Sequence, residues 1–179
     1  MYGMIHRAIR SMALERLGKA AVDQVIQQAG HGPNAFISGS TYDDAVTLSL
    51  ITGCAAALEM DVPTFLEHFG EYWIEFASNG AYASLMTISG ADLPTFLNNL
   101  DRMHQSVQAA MPHARLPSFT VQELGETFTR VSYASERRGL ENFVVGLLRG
   151  LLKRFNQQGE VIMAAENPGG ADFEIRYAS

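Results

Sequence analysis

Cysteine is nearly absent: Cys54 is the only one in 179 residues. One thiol excludes an internal disulfide framework and any cysteine-rich zinc or iron–sulfur site. Positive charge is in deficit, with 13 Lys and Arg against 19 Asp and Glu and a net of −6. That balance argues against a nucleic-acid-binding or anionic-membrane surface. No apolar run reaches the ~20 residues of a membrane span. The opening MYGMIHRAIRSMALER is broken by charge, unlike a secretory signal. There is no internal repeat or low-complexity linker, no His-x-x-x-His or Glu-x-x-His pair to build a metal site, and no nucleophile elbow for a hydrolase. What is present is apolar mass: 47% hydrophobic against 18% charged residues, enough for a sizeable core and too much for disorder. The expectation is one soluble, cytoplasmic, globular domain with no nucleic-acid or membrane partner.

Residues 1–111 read mostly as helix. Ile5, Ile9 and Met12, then Leu14, Leu17, Ala21 and Val25, recur at the helical period. A loop is expected at Gly30–Asn34, a helix from about Tyr42, and another from near Pro63 with Phe65, Phe69, Trp73 and Phe76 on one stripe. Asp43-Asp44 reads as a helix start, where acids complement the dipole. A further helix opens with Asp92 as N-cap and Pro94 in its first turn and runs to about Ala110. Beyond Pro117 the texture changes to Thr-, Val- and Phe-rich segments. Ser118–Leu124 and Thr127–Ser135 suggest one hairpin, Glu160–Glu166 and Phe173–Tyr177 another, with an apolar helix from about Leu140 to Phe155 between them. Helices first and then β-β-α-β-β indicates an α+β fold with a four-stranded antiparallel sheet. Among the remaining residues, Cys54 reads as core, His6 and His68 as helix-surface or boundary positions, and His31 and His113 as exposed in loops.

Two elements carry chemistry. Leu93, Leu97, Leu100, His104, Val107 and Met111 form one helical stripe, so the His104 imidazole points toward the core. Position alone leaves two readings open: a packed histidine with its nitrogens hydrogen-bonded, or an axial ligand to a haem iron. In Val131-Ser-Tyr-Ala-Ser-Glu-Arg137, Tyr133, Ser135 and Arg137 alternate as a strand runs out, which would place a phenol, a hydroxyl and a guanidinium on one face. That donor set suits a pair of carboxylates such as haem propionates; a solvated strand end is the plainer alternative.

His104 followed by Tyr133-x-Ser135-x-Arg137 resembles the haem–nitric oxide/oxygen binding (H-NOX) family, the gas-sensor domains also found at the front of soluble guanylate cyclase. Met1-Tyr2-Gly3, Phe69-Gly70-Glu71-Tyr72-Trp73, Leu93-Pro94-x-Phe96, Asn99-Leu100-Asp101 and the helix Phe143-Val-Val-Gly146-Leu-Leu-Arg-Gly150-Leu are similar to bacterial members, so the resemblance spans the chain. It implies a single haem-binding domain over 1–179, with residues 1–60 a helical distal cap and 61–179 a proximal part, the haem held between them. His104 would be the proximal iron ligand, Tyr133, Ser135 and Arg137 the propionate holders, and Pro117 a residue pressed on the porphyrin. Ile5, Ile9, Trp73, Ala77, Phe143 and Leu147 would line the distal wall. Gly146 and Gly150 would serve helix–sheet packing, close approach to the flat macrocycle, or both. Without a Cys-x-x-Cys-His run the cofactor would be a non-covalent haem b, iron protoporphyrin IX. The C-terminal zinc site of some bacterial members has no counterpart in Ala164–Phe173.

The resemblance also bears on the gas. Oxygen-binding members place a hydrogen-bonding tyrosine on the helix after the motif; here Phe143 stands at or beside that position and no tyrosine occurs between Ala134 and Asp172. Trp73 or Tyr72 could act as a surrogate donor. The implied function is a haem-based nitric oxide sensor, not an enzyme. In it NO binds ferrous haem and breaks the bond to His104, CO serves as a second ligand, and a separate histidine kinase or cyclic-di-GMP enzyme is regulated. A gas or haem carrier with no signalling partner is the alternative, as is a haem-free regulatory module.

Overall fold

Gly18, at φ 75°, ends the first helical run, because a left-handed residue cannot continue an α-helix and glycine adopts it without strain. A computed structural model describes residues 1–32 and 34–178. Helix α1 spans Gly3–Leu17, α2 Lys19–Gln28, α3 Asp44–Ala57, α4 Val62–Asn79, α5 Ala83–Ile88 and α6 Leu93–Ala110; strands β1 Ser118–Leu124 and β2 Phe128–Ala134 follow, then α7 Glu141–Arg154, β3 Gly159–Asn167 and β4 Gly170–Tyr177. The expected order of helices and then β-β-α-β-β is what forms. Pro33, part of the expected Gly30–Asn34 loop, lies outside the described residues. Among the described residues no single helix is long and apolar enough to cross a membrane.

The chain divides into two compact units, Met1–Phe69 and the residues from Gly70 onward, with the boundary inside α4. In the first unit α1, α2 and α3 pack on one another around buried Ile9, Met12, Val22, Ile26, Leu50 and Ile51. Asp43 caps α3 as expected, its carboxylate accepting the Ala45 N–H at 2.8 Å. Gly53 lets α3 approach α2: a Cβ there would stand 2.8 Å from Val25 Cγ1. Cys54 is buried beside it, and burial pushes its thiol up to about 11.

Two histidines depart from expectation. His6 is not a surface or boundary residue but fully buried, because Phe36 and Tyr42, from the loop before α3, close over its ring at centroid distances of 4.8 and 5.1 Å. His31 is half-buried rather than exposed, packed on the same two rings at 5.5 and 5.9 Å. Thr47 shares a 2.7 Å hydrogen bond with His6 Nε2, while Nδ1 has no partner among the described residues. Burial, then the N-terminal amine and His31, lower the His6 pKa to about 4, against a smaller opposing pull from Asp44.

In the second unit the sheet order is β1-β2-β4-β3, antiparallel throughout. One face is apolar: Phe119, Val131, Tyr133, Val161, Phe173 and Ile175 are buried, and α6 and α7 pack against the sheet. Alternation explains the one-sidedness, since Arg130, Glu174 and Arg176 fall on the other face and pair there. Gly150 on α7 admits a helix rather than the sheet. A Cβ at Gly150 would stand 2.9 Å from Ile74 Cβ, and one at Gly70 would stand 2.3 Å from the Phe143 carbonyl oxygen. Close approach is therefore between α7 and the C-terminal half of α4, where the missing side chains let two helix backbones meet.

The His6 geometry sets a pH dependence. The folded chain holds the ring neutral down to about pH 4, whereas an unfolded chain takes up the proton near the ordinary value of about 6.5. Between these values the unfolded state binds the extra proton, so stability falls as the pH drops through this window, by about 3 kcal/mol in all. Urea titrations of the full chain between pH 7 and pH 4 should show this slope, and His6→Asn, which keeps a hydrogen-bonding side chain but cannot titrate, should lack that contribution.

Candidate functional site

Helix α6 begins as the sequence predicts, with Asp92 accepting the Thr95 N–H at 2.8 Å and proline in the first turn. Asn99 Nδ2 donates to the Ser89 carbonyl at 3.0 Å and ties the first half of the helix to the preceding segment. Leu93, Leu97 and Leu100 are buried, while His104, Val107 and Met111 are half-buried. The stripe thus emerges from the core as it reaches His104.

The imidazole is fixed by its own donor. His104 Nδ1 donates to the Pro117 carbonyl at 2.9 Å, which assigns the proton to Nδ1 and leaves the Nε2 lone pair for a Lewis acid. Burial lowers the His104 pKa, against smaller opposing effects from the Pro117 bond and the Asp101 charge, so the neutral ring is favoured. One turn back on the helix, Asp101 grips the same segment. Its Oδ1 accepts the Phe119 N–H at 2.6 Å and its Oδ2 the Ser118 hydroxyl at 2.8 Å. The Phe119 ring lies between His104, at a centroid distance of 5.8 Å, and Tyr133, at 5.3 Å.

Tyr133, Ser135 and Arg137 come together, though not by strand alternation. Strand β2 stops at Ala134 and the chain bends, so the expected extended run of three residues on one face does not form. The bend is held by Ser135, whose backbone N–H donates to the Gly169 carbonyl at 2.9 Å and whose hydroxyl accepts the Arg137 N–H at 3.0 Å. Tyr133 is buried; that burial raises its pKa, while a hydrogen bond with Ser135 and the nearby Arg137 charge work the other way. Arg137 Nη1 donates to the Arg115 carbonyl at 2.6 Å, and the Arg115 side chain pairs with Glu136 at 3.5 Å.

The segment 115–119 is therefore held by Arg137 at one end, His104 in the middle and Asp101 at the other. A neutral imidazole with one nitrogen already hydrogen-bonded, beside a phenol, a hydroxyl and a guanidinium, suits a metal-bearing ligand that carries carboxylates. Haem has that chemistry: His104 could take its iron, and Tyr133, Ser135 and Arg137 could take its propionates.

The expected distal residues are distributed between the units. Ile5, half-buried, and Ile9, buried, lie on α1 in the first. In the second, Trp73 stacks on Phe76 at 5.9 Å and meets Tyr82 at 6.4 Å, and Tyr72 stacks on Phe76 at 6.3 Å. Ala77 is buried, and Trp73 and Leu147 pack against the same core; Phe143 is half-buried on α7. Sequence reasoning gave no role to Asp101, Arg115, Phe119 or Tyr82. The i, i+3 spacing of Asp101 and His104 was a visible sign that they share a helix face; nothing in the spacing of the other three marks them.

Comparison with known proteins bears on the family and the fold. The haem-NO-binding family model matches residues 2–163. Soluble guanylate cyclase gcy-37 of Caenorhabditis elegans is 26% identical over 171 residues, 93% of this chain and 24% of that protein. Soluble guanylate cyclase gcy-31 of the same organism is 25% identical over 162 residues, 90% and 23%. The chain thus spans about a quarter of the length of these relatives. Among solved structures, an H-NOX protein from S. oneidensis in the Fe(II)NO ligation state superposes with a TM-score of 0.88 at 18% identity, covering 100% of both chains. The Fe(II) unliganded H-NOX protein from K. algicida superposes at 0.84 with 23% identity, covering 100% of this chain and 97% of that one. Those likenesses establish the α+β fold, and the match over nearly the whole sequence establishes that this chain belongs to the haem-NO-binding family, the H-NOX domains.

Proposed function

We propose that the chain is a cytoplasmic haem-based nitric oxide sensor that carries a non-covalent haem b and regulates a separate signalling protein, a histidine kinase or a cyclic-di-GMP enzyme. The observation that carries this reading is the His104 imidazole, favoured as neutral, whose Nδ1–H donates to the Pro117 carbonyl and whose Nε2 lone pair is left for a ligand. Bound haem would supply an iron that takes a diatomic gas, and nitric oxide, more than carbon monoxide, would loosen the bond His104 makes to it. Tyr133, Ser135 and Arg137 receive the propionates. Cys54, buried on α3, offers no thioether attachment.

His104 is the chain's tether in this reading. The first half of α6 is held by the Asp92 cap, the Asn99 bond and buried Leu93, Leu97 and Leu100, whereas Val107 and Met111 beyond His104 are half-buried. Loss of the tether frees the less anchored C-terminal half of the helix, and a partner that reads that half is switched by the gas with the larger differential affinity. Nitric oxide should therefore switch the partner and carbon monoxide should not. The preference against dioxygen rests on Phe143 and on the tyrosine-free span from Ala134 to Asp172.

Three outcomes test the reading. His104→Gly should lose the five-coordinate ferrous absorption spectrum, regain it with added imidazole, and regulate the partner as if nitric oxide were bound. An unchanged spectrum would sink the ligand assignment. Arg137→Ala should release haem to an apo-acceptor faster than Ser135→Ala does, because a charge-assisted fork contributes roughly 1.5–3 kcal/mol against about 1 for a neutral hydrogen bond; equal rates would remove Arg137 as the main anchor. The reduced protein in air should show no oxy-type visible bands. Bands that persist would turn attention to Trp73 and Tyr72 as donors.

A further inference from the structure

Arg115 to Pro117 have no regular structure that would hold them still, and only at Ser118 and Phe119 does the chain enter β1, opposite Ala134 and Tyr133 of β2. The Pro117 carbonyl nevertheless orients the one ring proposed to ligate iron. Something outside the segment must fix that carbonyl, because a hydrogen bond is directional and weakens steeply once its angle is lost. Proline cannot use its own nitrogen, which carries no hydrogen. The neighbours on its C-terminal side do the holding: the Ser118 hydroxyl and the Phe119 N–H both donate to the Asp101 carboxylate, at 2.8 and 2.6 Å. Asp101 and His104 are one turn apart on α6, so both residues reach the same segment from one helix face. The far end is held independently, by Arg137 at the Arg115 carbonyl.

We propose that Asp101 is a positioning residue for His104: by clamping Ser118 and Phe119 it holds the Pro117 carbonyl where it orients the imidazole and sets the strength of its bond to iron. This rests on His104 being the iron ligand. The clamp depends on the reach of the carboxylate and on its two acceptor positions. Asparagine keeps the reach, with an oxygen for the Phe119 N–H and an amide that can donate to the Ser118 hydroxyl. Glutamate keeps the charge but sets the carboxylate one methylene farther out and misplaces both bonds.

The test uses the haem-loaded full chain in the ferrous state, with the iron–histidine stretching line in resonance Raman spectra and the rate of haem transfer to an apo-acceptor as readouts. Asp101→Ala and Asp101→Glu should shift and broaden the line and speed haem loss about tenfold, the scale for removing an outer-shell partner of a metal ligand. Asp101→Asn should stay near the parent, and Ser118→Ala should fall between. A merely structural role would lower the melting temperature without moving the line. Should Asp101→Ala fail to fold, the comparison of Asp101→Glu with Asp101→Asn decides, since both retain a polar group at the site. A parent line that Asp101→Glu leaves unchanged, or an Asp101→Asn variant as altered as Asp101→Glu, overturns the proposal alone. Absence of an iron–histidine line in the parent overturns the ligand reading and the proposal together.

Discussion

A single hydrogen bond from the His104 ring to the Pro117 carbonyl organises the chemistry of the second unit. It decides which nitrogen holds the proton, and so which nitrogen can hold a metal. It also joins two parts of the chain with different mechanical characters: a helix whose first half is sunk in the core, and a connecting segment with no regular structure of its own before β1 begins at Ser118. Asp101 and Arg137 matter because the acceptor in this bond lies in that segment. The fold supplies the rest by placing β1 beside α6 and ending β2 near the same segment.

Close packing elsewhere in this unit has the opposite purpose. Where α4 meets α7, Gly70 and Gly150 bring backbone against backbone, and an interior of that density transmits displacement rather than absorbing it. Lys153 and Arg154 add a polar seam, donating to Glu71 at 2.6 Å and Ser78 at 2.7 Å. The unit therefore has one seam that is tight and redundant and one, at 115–119, held by a few directional bonds.

Element type and order were legible in the sequence because apolar periodicity and capping residues are local: Asp43 and Asp92 start their helices as read, and the strands fall within a residue of their expected bounds except β4, which starts at Gly170 rather than Phe173. Tyr133, Ser135 and Arg137 stand near one another, but a bend made by Ser135 brings them there rather than the expected strand alternation. His6 was misread because its burial comes from Phe36 and Tyr42, about thirty positions or more away in sequence, and a one-dimensional pattern cannot register a lid supplied from that distance. The same limit hid Arg115 and Phe119, whose roles lie in a backbone carbonyl and a ring wedged between two others.

Cys54 has a consequence for a protein proposed to meet nitric oxide. Thiols react with nitrosating species, oxidants and electrophiles as thiolates, and with its pKa pushed up to about 11 the buried side chain of α3 is ionised in only about one molecule in ten thousand at neutral pH. The sulfur is also shielded by the helices around it. Covalent thiol chemistry thus has almost no foothold in this chain. Exposure to the gas and its by-products would leave no lasting chemical mark at Cys54.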